Sequence, residues 1–250
     1  LQQLETYMSK SEIKLYQAWN LHTRAFHWIN FLCIVLLSVL GLIMLNKGAI
    51  GISGREAGIG LKALHVIVGY VFSINLLLRL LSGFFGPQHG RWSTLIPGRT
   101  FKQDIKTYKQ SLKSGQSQTF IGHNPKGRLS VLVMLLLLTV IMATGLTRAA
   151  TNIYYPPFGS IAASYVAADG VPAAEIMPYD KTGTDAGKLA ALQSFKGPVG
   201  TVHVYGVYVL WVLILIHLIA VMRVEARGDG SLISSMFSGK KYLPRPPVDE

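Results

Sequence analysis

The sequence predicts an all-α integral membrane protein: a four-helix bundle with a long external loop between its third and fourth helices. Three observations carry that expectation. Half of the 250 residues are hydrophobic and only 14% are charged, well below the roughly 25% typical of a soluble domain. The apolar residues gather into four runs, each able to cross about 30 Å of hydrocarbon as a helix. In lipid an isolated run must satisfy its own backbone hydrogen bonds, and only a helix does so.

The four runs are Phe26–Leu45, Leu61–Phe85, Leu129–Leu146 and Val199–Met222, each dominated by Leu, Ile, Val, Phe and Met. No internal repeat divides them, so residues 1–250 read as one membrane domain. The N-terminal stretch is polar and lacks an apolar segment of signal-peptide type, so targeting falls to the first helix. Cys33 is the single cysteine. That excludes an internal disulfide, a CxxC redox pair and a CxxCH covalent haem attachment.

Net charge is +12, which in a soluble protein would suggest nucleic acid. Here the cations lie between the apolar runs rather than in a compact basic patch, so nucleic-acid binding is not expected and bilayer orientation is. The N-terminal segment, the connection between the second and third helices, and the C-terminal tail together hold sixteen Lys and Arg, against seven on the opposite side, Lys62 at the start of the second run included. The excess places both termini in the cytoplasm. The connection Arg148–Pro198 is then external, and its length and Gly/Pro turns predict a segment folded over the outer face, capping a site or receiving a partner. The connection Gly86–Gly127 carries a basic stretch, Phe101–Lys113, which reads equally as a short helix on the headgroups or as a solvated loop.

Four of the seven histidines fall in the runs: His27, His65, His203 and His217. Ionisable groups inside a bilayer are costly and are usually functional, although a single one can simply bond a neighbouring helix. Their depths pair them. Measured from the outer ends of the runs at about 1.5 Å per residue, His65 and His203 both lie at ~6 Å, and His27 and His217 both at ~27 Å. His203 and His217 are fourteen residues apart, which returns to within ~40° of the same helix face and separates them by ~21 Å. One imidazole from each of two helices, repeated at two heights, suits two bis-histidine haems acting as an electron relay. Zinc would need three or four ligands at one place.

Other residues fit this reading more weakly. Gly69, Gly200 and Gly206 lie within four residues of His65 or His203, where small residues let a flat macrocycle approach, or merely let helices pack. Arg24 and Arg79 suit the propionates of the cytoplasmic haem, and Lys62 those of the outer one; each also reads as a snorkelling cation. His22 is the substitute ligand should His27 not serve. His89 and His123 read as loop residues. The third helix has no histidine and is expected to pack beside the other three.

Arg24-x-x-His27-Trp28, His65-x-x-x-Gly69-Tyr70 with Arg79, Gly122-His123-Asn124-Pro125-x-Gly127, Thr144-Gly145-Leu146, the His203/His217 pair and Gly239-Lys240-Lys241 together resemble the bacterial cytochrome b561 and nickel–iron hydrogenase b-type cytochrome family. The resemblance spans about Gln17 to Lys241. It implies a four-helix bundle of the bacterial inner membrane, two non-covalent haems b ligated from the first, second and fourth helices, and exchange of electrons with quinone. On this reading the chain is the electron-transfer subunit of a membrane oxidoreductase, with an external dehydrogenase, hydrogenase or cytochrome c as partner. The small members of the family suggest an alternative, a stand-alone superoxide:quinone oxidoreductase with Lys47, Arg55 and Lys62 steering the anion. A non-redox membrane protein is the third reading, and it would be colourless.

Overall fold

A computed structural model describes residues 14–115, 117–228 and 230–250. Four long helices form: α1 (Leu21–Leu45), α2 (Arg55–Phe85), α5 (Pro125–Ile153) and α7 (Ala186–Ala226). Each is apolar and long enough to cross a membrane. Between and after them lie the shorter helices α3 (Trp92–Leu95), α4 (Phe101–Lys113), α6 (Gly159–Val166) and α8 (Leu232–Ser238), and two strands, β1 (Lys14–Gln17) and β2 (Lys240–Leu243).

Every one of the four long helices begins earlier than its apolar run. Hydropathy marks only the stretch that prefers lipid, whereas a helix continues through polar residues until a cap ends it. Asn20 Oδ1 accepts from the Thr23 N–H (3.0 Å), Asn124 Oδ1 from Gly127 (2.8 Å) and Asp185 Oδ1 from Lys188 (2.8 Å). Each satisfies one of the four free N–H groups at its helix start. Pro125 follows Asn124 as the first residue of α5, where its missing N–H costs nothing. Helix ends therefore do not mark membrane depth.

The basic stretch Phe101–Lys113 is the helix α4. Its Lys102, Lys106, Lys109 and Lys113 are exposed and lie on one stripe at helical spacing. Tyr108 is buried and meets the ring of Phe120 edge-on at 5.8 Å.

By contacts the chain forms two compact units. The first comprises the described residues up to His27, Arg79–Met134 and Leu213–Glu250. In it β1 and β2 pair antiparallel, with Lys14 opposite Leu243 and Gln17 opposite Lys240. Ala18, Trp19, Ile121 and Leu243 form its small core. The C-terminal tail is sewn to residues 117–122. Asp249 accepts the N–H groups of Ile121 (2.7 Å) and Gly122 (2.8 Å), Val248 donates to the Thr119 carbonyl (3.0 Å), and Arg245 donates to that of Ser117 (2.7 Å). Lys241, only 2% exposed, donates to the carbonyls of Gly122 (2.8 Å) and Phe120 (3.2 Å). Burial lowers its pKa to about 8. His123 lies against Trp19 with ring centroids 4.8 Å apart. Burial, then the charges of Lys241, Arg79, His89 and Arg128, lower its pKa to about 3, so it is neutral.

The second unit comprises Trp28–Leu78 and Leu135–Val212. Within it the long connection is mostly structured. α5 continues to Ile153 and α7 starts at Ala186, leaving residues 154–185 to fold as a cap. Ala163, Val166, Ala167, Ile176 and Leu192 form its core. Three contacts fasten the cap to α2: Arg55 pairs with Asp180 at 3.3 Å, Lys62 donates to the Tyr179 hydroxyl, and Tyr70 donates to the Pro156 carbonyl at 2.5 Å. Trp211 on α7 donates to Ser38 on α1 at 2.9 Å.

Two measurements check this account. A Cβ on Gly83 would lie 2.2 Å from Trp92 Nε1, and that indole is held by its hydrogen bond to the Leu80 carbonyl (3.1 Å). Gly83→Ala is expected to cost about 1–3 kcal/mol by overpacking, read as a lower melting temperature. For His123, protonation in the unfolded chain begins near its ordinary value of 6.5, whereas the folded protein resists it down to about 3. The unfolded state therefore binds more protons across that window, and stability falls as the pH falls through it. His123→Gln should flatten the acid side of the melting-temperature profile between pH 6.5 and 3 relative to the unaltered protein.

Candidate functional site

His65 on α2 and His203 on α7 face each other within the second unit, ring centroids 6.4 Å apart and planes crossed at 71°. Two metal–imidazole bonds of about 2 Å and two ring half-widths of roughly 1 Å sum to about 6 Å. The observed separation thus leaves room for one metal atom between the rings. Crossed planes are no obstacle, because a pair of imidazoles would hold a metal between them with their planes parallel or crossed.

The tautomer of His203 follows from its neighbours. Its Nδ1 lies 3.2 Å from the Ile141 carbonyl and 3.1 Å from Thr144 Oγ1. A carbonyl only accepts, so the Nδ1–H donates to it, leaving the Nε2 lone pair for a metal. Metal-bound histidines are usually oriented in this way. His65 Nδ1 is buried and has no hydrogen-bond partner among the described residues, a costly state for an imidazole unless something else meets it.

Around the two rings lie two cavities of about 80 and 230 Å³ that share walls from α1, α2, α5 and α7. The smaller is apolar, with Phe72, Leu138 and Met142 among its walls. The larger has Lys62, Arg148 and Asn152 in its wall beside both histidines, a supply of positive charge for acidic substituents. A flat, apolar ring system with acidic edges, its metal held by the two imidazoles, would suit this set. Among the described residues no three His, Cys, Asp or Glu converge to hold a bare ion. Paired imidazoles serve a metal whose other ligands come from a macrocycle.

The structure redistributes several of the supporting residues. Gly69 lines the smaller cavity. Gly200 and Gly206 do not serve a macrocycle's approach: a Cβ on Gly200 would sit 2.0 Å from Arg148 Nη1, and one on Gly206 would sit 3.2 Å from Ile141. Both are packing glycines. The glycines nearest the rings are Gly145, where a Cβ would lie 3.2 Å from His203 Cε1, and Gly41, where one would lie 3.9 Å from His65 Cε1. The third long helix is more than a neighbour, since Ile141, Thr144 and Gly145 on α5 set the position of His203. No histidine marks that helix, and Arg148 counts in the sequence only as a loop charge, so its place in the cavity wall was not legible there. Lys62 lines the same cavity but is engaged by Tyr179, both through the hydroxyl and with its Nζ 4.2 Å from the ring centroid.

His27 on α1 and His217 on α7 belong to the first unit. Both are partly buried, while His22 in the first turn of α1 is exposed. Arg24 donates to the Phe237 carbonyl. Arg79 is 6% exposed, donates to the Gly90 carbonyl at 3.0 Å and lies 5.9 Å from the Trp92 ring centroid. Both arginines thus have structural partners in the corners of the first unit.

Comparison with known proteins agrees with the geometry. The chain is 24% identical over 239 residues to a probable Ni/Fe-hydrogenase B-type cytochrome subunit of Cupriavidus necator, covering 92% of this chain and 88% of the relative. It is 23% identical to the subunit of the same name in Rhizobium leguminosarum bv. viciae (96% and 92% covered). It is also 23% identical to the probable Ni/Fe-hydrogenase 1 B-type cytochrome subunit of Escherichia coli K12 (86% of each). No solved structure matches significantly. The family described as prokaryotic cytochrome b561 matches residues 18–239. Four apolar helices, a facing imidazole pair and a match across nearly the whole chain lead to one conclusion: this is a multi-pass membrane cytochrome b, a haem b protein of electron transport, and it belongs to the prokaryotic cytochrome b561 family.

Proposed function

We propose that the protein carries two haems b and passes electrons across the bacterial inner membrane between an external redox partner and the quinone pool. The observation that carries this reading is the His65–His203 pair, 6.4 Å apart with Nδ1 of His203 committed to a carbonyl. His27 and His217 are the ligands of the second haem, supported by the fourteen-residue spacing of His203 and His217 on one helix. Haem b supplies a one-electron carrier whose potential the protein sets through burial and hydrogen bonding. Arg148, in the cavity wall beside both histidines, balances the propionates of the first haem. Both termini lie in the cytoplasm, in keeping with the distribution of Lys and Arg.

A hydrogenase is the external partner that the relatives' names favour, and the chain acts as its electron-transfer subunit. The cap built from residues 154–185 supports a partner over a self-sufficient superoxide oxidase. It has its own core and occupies Lys62 and Arg55 with Tyr179 and Asp180, two of the cations that an open anion funnel would need.

The test is the haem content of the purified protein with its reduced-minus-oxidised spectrum. Two haems b per chain are expected, and His203→Ala and His217→Ala should each remove one, with different spectral components lost. Unchanged content in both variants would overturn the ligand assignment. Gly145→Val offers a second reading. Added bulk 3.2 Å from His203 Cε1 should displace that ring and lower haem occupancy to about one per chain, while the spectrum assigned to the His27–His217 site is retained.

A further inference from the structure

We infer that the first half of the cap, Tyr154–Val166, is a re-entrant segment that dips into the bilayer, with the outer face of α6 set against lipid acyl chains. This goes beyond the electron-transfer reading and does not depend on it.

The contacts of the cap with α2 fix its height. Asp180 meets Arg55, Tyr179 meets Lys62, and the Pro156 carbonyl meets Tyr70. At 1.5 Å per residue, Tyr70 lies about 22 Å along α2 from Arg55 and about 12 Å from Lys62. Tyr70 is also nine residues inside the apolar run that starts at Leu61. The turn at Pro156 is therefore held against α2 at Tyr70, whose neighbours along the helix include the exposed Ile67, Val71 and Ile74.

Composition agrees. From Ala149 to Ala168 there is no Asp, Glu, Lys, Arg or His, whereas the rest of the cap carries Asp169, Glu175, Asp180, Lys181 and Asp185. The charges begin where the chain returns toward the heights of Lys62 and Arg55. Irregular backbone survives at membrane depth only when its polar groups are satisfied by protein. Here Pro156 and Pro157 have no N–H to satisfy. The Tyr155 N–H donates to the Ala149 carbonyl at 3.1 Å, and the Pro156 carbonyl accepts from Tyr70. Gly159 allows the tight return, since a Cβ there would lie 2.0 Å from the Tyr154 carbonyl oxygen.

α6 is two-sided. Ala162, Ala163 and Val166 are buried, Val166 completely, whereas Phe158, Ile161 and Tyr165 are 52, 65 and 49% exposed. Those three recur at helical spacing; with the exposed Ser160 and Ser164 they make an uncharged face rich in aromatic and aliphatic side chains, of the kind a helix turns toward lipid.

The experiment places a nitroxide on that face in the haem-loaded protein reconstituted into phospholipid bilayers. Ile161→Cys and, separately, Tyr165→Cys are built in a Cys33→Ser background, Cys33 being the sole native thiol. Collision of the label with oxygen, which partitions into lipid, is compared with collision with a water-soluble nickel chelate. Ile74→Cys serves as the lipid-facing reference and Asp169→Cys as the aqueous one. Oxygen accessibility several-fold above that to nickel, as at Ile74, is the expected result at both positions. Dominant nickel accessibility, as at Asp169, would overturn the inference. So would low accessibility to both reagents, which would mean that another protein or a second copy of the chain covers the face.

Discussion

The hydrogen bond from His203 Nδ1–H to the Ile141 carbonyl is the contact on which the site depends. A backbone carbonyl has two lone pairs, so this one can take a side-chain donor alongside its own helix bond. The bond forms only because Gly145, one turn further on, leaves space for the ring. With Nδ1 occupied, Nε2 is the remaining donor atom, and it is presented in a fixed direction from a packed helix. Such an outer hydrogen bond fixes both the tautomer and the orientation of the ring. The small residue and the carbonyl on α5 are thus as necessary as the histidine they serve.

The cations illustrate a related constraint. In a low-dielectric setting a guanidinium or ammonium must find acceptors or pay for its desolvation. Arg79 meets a carbonyl and an indole, Arg24 meets a carbonyl, and Lys62 meets Tyr179. Arg148 instead reaches across Gly200 into the wall of the larger cavity. Positive charge is therefore concentrated beside His65 and His203 by packing, through a glycine that makes way for one arginine.

Outside the long helices, order comes chiefly from side chains bonding backbone. Asp249, Lys241 and Arg245 occupy N–H and carbonyl groups of residues 117–122, a segment too short to bury much apolar area of its own. The cap of the second unit combines both means, with a small core around Val166 and polar ties from Arg55, Lys62 and Tyr70.

By itself the sequence determined the fold class and the four spanning helices, because hydropathy over twenty residues is a strong, local signal, and it singled out four histidines within them as candidates. It also carried the family, through motifs spread from Arg24 to Lys241. Helix ends were less legible, since the caps at Asn20, Asn124 and Asp185 lie outside the apolar runs and extend the helices beyond them. Only the tertiary structure decided which glycines stand beside the rings, that α5 orients His203, and that Arg148 rather than a second residue of α2 joins Lys62 in the cavity wall. Those choices depend on which faces of separate helices meet, and spacing along one chain does not specify the rotation of one helix against another.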